Sequence, residues 1–339
     1  MSKKIAIIGG GIIGCLSAIK LRESGFSVVI VDKNEIGKES SWAGAGILFP
    51  LMPWLYSPEV YNLCINSSEF YEEFSKKLFR ATNIDPEFTR TGMMLISPHS
   101  VDKIQQWARK HNYDIQNSTF HKSPAILFPS VAQIRPPRAM KAIRLYMSQL
   151  GISIIENTEL CAIQGNKKIL NKWATKNSDP IEADYFIVAS GAWVSMIQAD
   201  YKNKIYPVRG QMIQYKASSL KINHILYSDD FYILQRKDGV IIAGSTVEEV
   251  GFDEKVTSDS IDYLKKKSEQ LLPELKNILV ENHWAGFRPG TKENIPIIGK
   301  DGKYENVYIN SGHFRYGLTM APKSAEIINS LLVESKLCD

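Results

Sequence analysis

The sequence predicts an α/β protein in two parts. One is a discontinuous domain built on a parallel sheet; the other is an α+β domain built on an antiparallel sheet. Three observations predict this. A strand, glycine turn, helix and second strand open the chain between Lys4 and Asp32. A buried apolar strand of the same kind returns far downstream, at 184–188. Between Ile205 and Ile242 the pattern changes to alternating strands with turn signals such as Lys237-Asp238-Gly239. The 339 residues suit two domains, or one large and one interwoven.

The opening unit is the most informative. Lys4-Ile5-Ala6-Ile7-Ile8 is a short apolar run that ends in Gly9-Gly10-Gly11-Ile12-Ile13-Gly14. Cys15 to Ser24 then reads as a helix closed by Gly25, and 27–31 as a second buried strand ending in Asp32. This is strand, G-x-G-x-x-G, helix, strand and acid, with the acid about 20 residues beyond the glycines. Gly9 permits the tight turn, Gly11 lets backbone approach a pyrophosphate, and Gly14 lets helix and strand pack closely. The helix N-terminus offers N–H groups and partial positive charge to phosphates. Asp32 can accept hydrogen bonds from a ribose diol. A Rossmann-like domain holding a dinucleotide is therefore expected.

Other readings of the same region fail. Ser2-Lys3-Lys4 and the apolar run after it resemble the start of a secretory signal, but three consecutive glycines suit a signal helix poorly. Gly37-Lys38-Glu39-Ser40 lacks the upstream glycine of a phosphate loop. No G-x-S-x-G elbow occurs.

The segment after Asp32 separates two cofactor classes. Glu39-Ser40-Ser41-Trp42-Ala43-Gly44-Ala45-Gly46-Ile47-Leu48 is small and rich in glycine and hydroxyl groups, which suits backbone lying against a flat ring system. A NAD enzyme would more often continue into another βα unit. Pro58 to Arg80 reads as one long amphipathic helix with Leu63, Phe70, Phe74 and Leu78 on a core stripe. Strand 93–96, helix 101–111, helix 136–150 stopped by Gly151, and strand 152–155 follow. Strand 184–188 ends at the small turn Ala189-Ser190-Gly191-Ala192-Trp193, a second place for backbone to lie near the nucleotide. A helix over 260–272 interrupts the antiparallel region. Trp284 to Thr291, and Ser311-Gly312-His313-Phe314-Arg315-Tyr316-Gly317, return the chain to the first domain. The expected division is 1–56, 135–205 and 284–339 for an FAD-binding domain, and 57–134 and 206–283 for a substrate domain. A nucleotide domain assembled from separate stretches, with an antiparallel sheet inserted, is a flavoprotein architecture.

Composition excludes several classes. The chain is 44% apolar and 23% charged, so disorder is not the default. Net charge is +5, with Lys and Arg scattered, so no nucleic-acid partner is expected. The four cysteines form no C-x-x-C pair and the six histidines no H-x-x-x-H, so no metal is expected and a reduced, cytoplasmic protein is. No run is long enough for a membrane span.

Together these pieces resemble the FAD-dependent D-amino-acid oxidase family, and most closely its glycine oxidase branch. The resemblance covers nearly the whole chain. It rests on Gly9 to Gly14, Ser40 to Leu48, Ser190-Gly191-Ala192-Trp193, Pro207-Val208-Arg209-Gly210-Gln211, Trp284 to Thr291 and His313 to Gly317. It implies FAD, touched by Gly9, Gly11, Ile12, Ile13, Gly14, Asp32, Lys33, Ser40, Ser41, Ala45, Gly46 and Ile47. It adds Leu160 through backbone, Gly191, and His313, Phe314, Arg315, Tyr316, Gly317, Leu318 and Thr319 around the pyrimidine side of the flavin. Gly317 would start a helix whose positive end faces that ring. The flavin would be non-covalent, because no cysteine lies in the C-terminal motif and Cys338 is too distal.

Arg288 would bind a substrate carboxylate, with Tyr232 and Arg315 beside the substrate. The implied reaction is oxidative deamination of glycine or a small D-amino acid, with hydride passing from Cα to flavin N5. Oxygen then gives hydrogen peroxide. In this branch the imine serves thiamine production. No motif demands a general base. The implied partners are a small amino acid and oxygen, and relatives self-associate. Departures from the family pattern are Trp42, Gln235 and Val247, the last expected at the substrate pocket. Three alternatives stay open: a D-amino-acid dehydrogenase passing electrons to quinone, a tRNA-modifying FAD oxidoreductase domain, and a non-catalytic dinucleotide-binding module.

Overall fold

A computed structural model describes residues 2–49, 52–163, 168–217 and 219–338, the last three by backbone alone. The Cys338 side chain thus lies outside the described residues. The opening unit forms as its pattern requires. β1 (Lys4–Ile8) pairs in parallel with β2 (Ser27–Val31), and α1 (Ile12–Glu23) crosses between them. Tyr185–Val188 lies on the other side of β1, also parallel, and Val307–Ser311 beyond it. Ser153–Ile155 extends the sheet past β2, and the antiparallel strand Ile297–Lys300 closes the opposite edge, giving six strands. The central strands are buried on both faces, which is why they read as continuous apolar runs.

The second sheet has eight strands and contains β3 (Tyr206–Lys216), β4 (Phe231–Gln235), β5 (Val240–Gly244) and β6 (Val280–Gly290). β3 pairs antiparallel with β5 and β6, and β4 with β5. The sheet is mixed, because Ile225–Ser228 runs parallel to Met93–Ile96. A hairpin of Gln116–Phe120 and Ser123–Phe128 continues it to the far edge. β6 runs without interruption across residue 284, where a domain boundary was expected.

One expected element differs. The helix read over Pro58 to Arg80 is two helices, Pro58–Cys64 and Ser67–Thr82. Asn66 between them sits at φ 59°, in the left-handed region that Asn tolerates better than most residues. The break lets the stripe serve two cores. Leu63 packs against Tyr316 and Met320, whereas Phe70, Phe74 and Leu78 join the core around α1. The C-terminal helix α2 (Gly317–Cys338) packs along α1. No helix among the described residues is long and apolar enough to cross a membrane.

Candidate active site

A cavity of about 440 Å³ runs from the carboxyl ends of the parallel strands to one face of the eight-stranded sheet. Ile8, Gly9, Asp32 and Ala189 line one end; Met212, Tyr232 and Arg288 line the other. Ligands of open parallel sheets bind beyond the strand carboxyl ends, so the position suits a nucleotide.

At the first end the glycine turn works by close approach. Gly9 has φ 113°, and a Cβ there would lie 2.5 Å from the Ala189 carbonyl oxygen. Gly11, Ile12 and Ile13 line the cavity. Gly14 does not: a Cβ there would lie 2.0 Å from the Gly9 carbonyl, so its part is to let α1 close on the turn. Gly11 caps α1 without any side-chain hydrogen bond, although Ser41 Oγ accepts from Ile12 N at 2.8 Å. Asp32 accepts from Gly10 N at 2.6 Å and Asn34 N at 2.8 Å. Burial nevertheless holds its pKa above the ordinary carboxylate value. The Lys33 ammonium sits 4.0 Å from the Trp193 ring centre. Leu160 and Gly191 line the same stretch.

The Ser40–Ile47 segment crosses the middle. Ser40 Oγ donates to the Phe287 carbonyl. Ser40, Ser41, Ala45, Gly46 and Ile47 all face the cavity. Behind them lies Arg236, buried, donating to Ala45 O at 2.6 Å, Gln133 Oε1 at 2.7 Å and Ile134 O at 3.1 Å. Burial lowers the Arg236 pKa to about 10, with Arg135 pushing the same way. No local pattern places this arginine under the loop.

The C-terminal motif makes a single tight turn, Phe314–Tyr316, before α2. Phe314 has φ 47°. His313 is buried with Nε2 2.8 Å from Ser324 Oγ, and burial lowers its pKa to about 3. Arg315 Nη1 lies 3.4 Å from Asp230 Oδ1, while its Nε is buried with no partner among the described residues. Tyr316 donates to Tyr56 Oη at 2.8 Å. Residues 313–318 all line the cavity. Thr319 does not; it is buried behind the wall, 3.4 Å from Ile47 O.

Arg288 and Tyr232 meet at the far end. Strand alternation puts Gly210 and Met212 of β3, and Gly286 and Arg288 of β6, on the cavity face. A Cβ at Gly210 would lie 2.2 Å from Arg288 Nη1, so the guanidinium occupies the space that a side chain would fill. Its Nη1 donates to Thr246 O at 3.0 Å and its Nη2 to Ser245 Oγ at 2.6 Å. Burial pulls the Arg288 pKa below its ordinary value, partly offset by Tyr232, and the neighbouring Arg315 pulls it down further. Burial raises the Tyr232 phenol, and Arg288 opposes that rise. Its hydroxyl reaches Met212 Sδ at 3.5 Å and also lies against the Ser245 side chain, whose hydrogen bond opposes the rise too.

Ser245, Asp230, Met212 and Gly210 were missed as site residues. Only Gly210, within the quoted Pro207–Gln211 motif, left a signal. Val247, expected at the pocket, is 49% exposed and off the cavity wall: it follows the Arg288-binding pair but points outward. Gln235 is structural, donating to Leu220 O and accepting from Ile222 N. Trp42 packs edge-on to Trp284. The residues present fit FAD: a side-chain-free turn, a helix N-terminus whose own cap residue is a glycine, an acid at the next strand end, and a long wall of small residues beyond. Among the described residues no group of His, Cys, Asp and Glu could hold a metal ion.

Comparison with known proteins agrees. The sequence pattern of the FAD dependent oxidoreductase family matches residues 4–331. A glycine oxidase of Pseudomonas putida is 34% identical, with 98% of this chain and 95% of that one aligned. A glycine oxidase of Bacillus subtilis is 25% identical over 98% and 93%. The crystal structure of a glycine oxidase from Bacillus cereus superposes with a TM-score of 0.88 at 25% identity, covering 99% and 96%.

Proposed function

Because the chain belongs to the FAD dependent oxidoreductase family, we propose that it oxidatively deaminates glycine or a small D-amino acid. The balanced reaction for glycine takes oxygen and water and yields glyoxylate, ammonia and hydrogen peroxide. The observation that carries this reading is Arg288, a guanidinium held in the same cavity as the glycine turn. Bound FAD would supply the redox chemistry, as acceptor of a hydride from the substrate Cα and donor of the electrons to oxygen.

The protein's own part is binding and alignment. Gly9, Gly11, Ile12 and Ile13 would meet the pyrophosphate, Asp32 a ribose, and the Ser40–Ile47 segment and residues 313–318 the flavin. The start of α2 directs helix N–H groups and partial positive charge into the cavity, which favours negative charge there. Arg288 would pair with the substrate carboxylate in a two-pronged, charge-assisted contact. The Tyr232 hydroxyl would donate to the same group. Among the described residues no carboxylate or neutral histidine stands beside these two as a ready base; Asp230 is engaged by Arg315 and by Tyr227 at 2.8 Å. The amine would therefore bind already neutral.

The test is a peroxide-coupled screen over glycine, sarcosine, D-alanine and D-proline, run with wild type and Arg288→Ala. The variant should lose roughly 2–5 kcal/mol of substrate binding, because a buried carboxylate is left unpaired. An unchanged kcat/KM removes Arg288 from the site. Dye reduction without peroxide indicates a dehydrogenase instead.

A further inference from the structure

Arg288 does not orient itself. Its two acceptors, Ser245 and Thr246, lie on the loop after β5, and that loop is tied to the opposite face of the sheet. Thr246 N donates to Gln211 O at 3.2 Å, and Gln211 N donates back to Thr246 Oγ1 at 2.8 Å. Thr246 Oγ1 in turn donates to Glu248 Oε1. Glu248 also accepts from Gln211 Nε2 at 2.9 Å and from Arg209 at 2.6 and 3.1 Å. Arg209 and Glu248 exchange two backbone hydrogen bonds of 2.9 Å as well. Arg209, 3% exposed, completes its bonds on Asp253 and the Lys255 carbonyl. Alternation on β3 explains the layout: Gly210 faces the cavity, whereas Arg209 and Gln211 face away.

We propose that Glu248 is a positioning residue for substrate binding. Locked by Arg209 and Gln211, it fixes Thr246, and Thr246 with Ser245 fixes the guanidinium of Arg288. The inference rests on the reading that Arg288 receives the substrate carboxylate. A buried arginine offered to a carboxylate contributes most when its geometry is set in advance, since little order is then lost on binding. Glu248 never touches the ligand; its carboxylate sets the loop that holds the arginine.

A double-mutant cycle in the FAD-loaded protein tests this, with glycolate as probe and the change in bound-flavin absorbance as readout. Glu248→Gln should weaken glycolate about tenfold, the scale of one disturbed charge-assisted bond. In an Arg288→Lys background the same change should cost less than about twofold, because the flexible ammonium no longer uses the preset fork. Equal losses in both backgrounds mean that Glu248 merely supports the fold, and overturn the proposal. So does unchanged binding in Glu248→Gln. If that variant fails to fold, Thr246→Val removes only the linking hydroxyl and should show the same coupled loss; binding like wild type there overturns the proposal too. A wild-type protein that no carboxylate perturbs sinks the Arg288 reading itself, a result distinct from an intact site indifferent to Glu248.

Discussion

At the scale of single residues, the site depends on what is absent as much as on what is present. Gly210→Ala would drive a methyl group into the Arg288 guanidinium, 2.2 Å away. KM for the amino acid should rise about tenfold or more, as if a charged contact were displaced, with FAD content retained; a wild-type KM would mean that the guanidinium sits elsewhere. Tyr232→Phe should cost about 1 kcal/mol of carboxylate binding, measured with glycolate, the scale of one lost hydrogen bond. These neighbours show where the sequence was readable. Arg288 was legible because it stands in a motif, whereas Tyr232 came only from the position that the family resemblance implies. Met212 on β3 and Ser245 on the loop after β5 reach the same point from separate elements, and no local pattern encodes such convergence. Gly14 and Thr319 carry motif positions yet back the wall rather than form it.

At the scale of elements, periodicity was the dependable guide. Strands buried on both faces and the glycine turn were legible because backbone geometry dictates their composition. The division of the helix at Asn66 was not, since one left-handed residue leaves the apolar stripe almost unaltered. The parallel pairing of Ile225–Ser228 with Met93–Ile96 joins segments more than a hundred residues apart, which alternation alone cannot specify. Arg236 links elements in the same way, tying the Ser40–Ile47 segment to strand Ala132–Gln133 and its neighbour Ile134. Arg236→Leu should loosen that segment and speed FAD loss, followed by gel filtration and flavin fluorescence. Undiminished retention would show that the segment holds its shape unaided.

At the scale of the whole molecule, acid should act through buried groups. His313 has its pKa lowered to about 3 from 6.5 by burial. Its stabilising contribution is therefore complete above pH 6.5 and declines as pH falls toward 3, because the unfolded chain takes up the proton first. The loss amounts to about 2 kcal/mol by pH 5. Denaturant unfolding from pH 8 to 5 should show it, and His313→Asn should flatten the curve; an equal slope in both proteins would contradict the assignment. Glu248 acts lower. Burial raises its pKa, but bonds from Thr246, Arg209 and Gln211 outweigh that and lower it. Its contribution is present above the ordinary carboxylate range and fades as pH drops through it. FAD in this cavity would bridge the two sheets, so excess FAD should raise Tm by several degrees, consistent with about 2.7 kcal/mol at a hundredfold excess over Kd.

The alternation along β3 constrains how this protein can be re-engineered. Inserting or deleting one residue there would exchange the two sides of the ribbon, bringing a salt-linked cation into the reaction chamber and sending the cleared space at position 210 to the back. Tolerance to length change should therefore be lowest in this strand, paired on both sides, and highest at the distant 116–128 hairpin. That remote edge is where a tag or fused domain can be grafted without disturbing the chemistry.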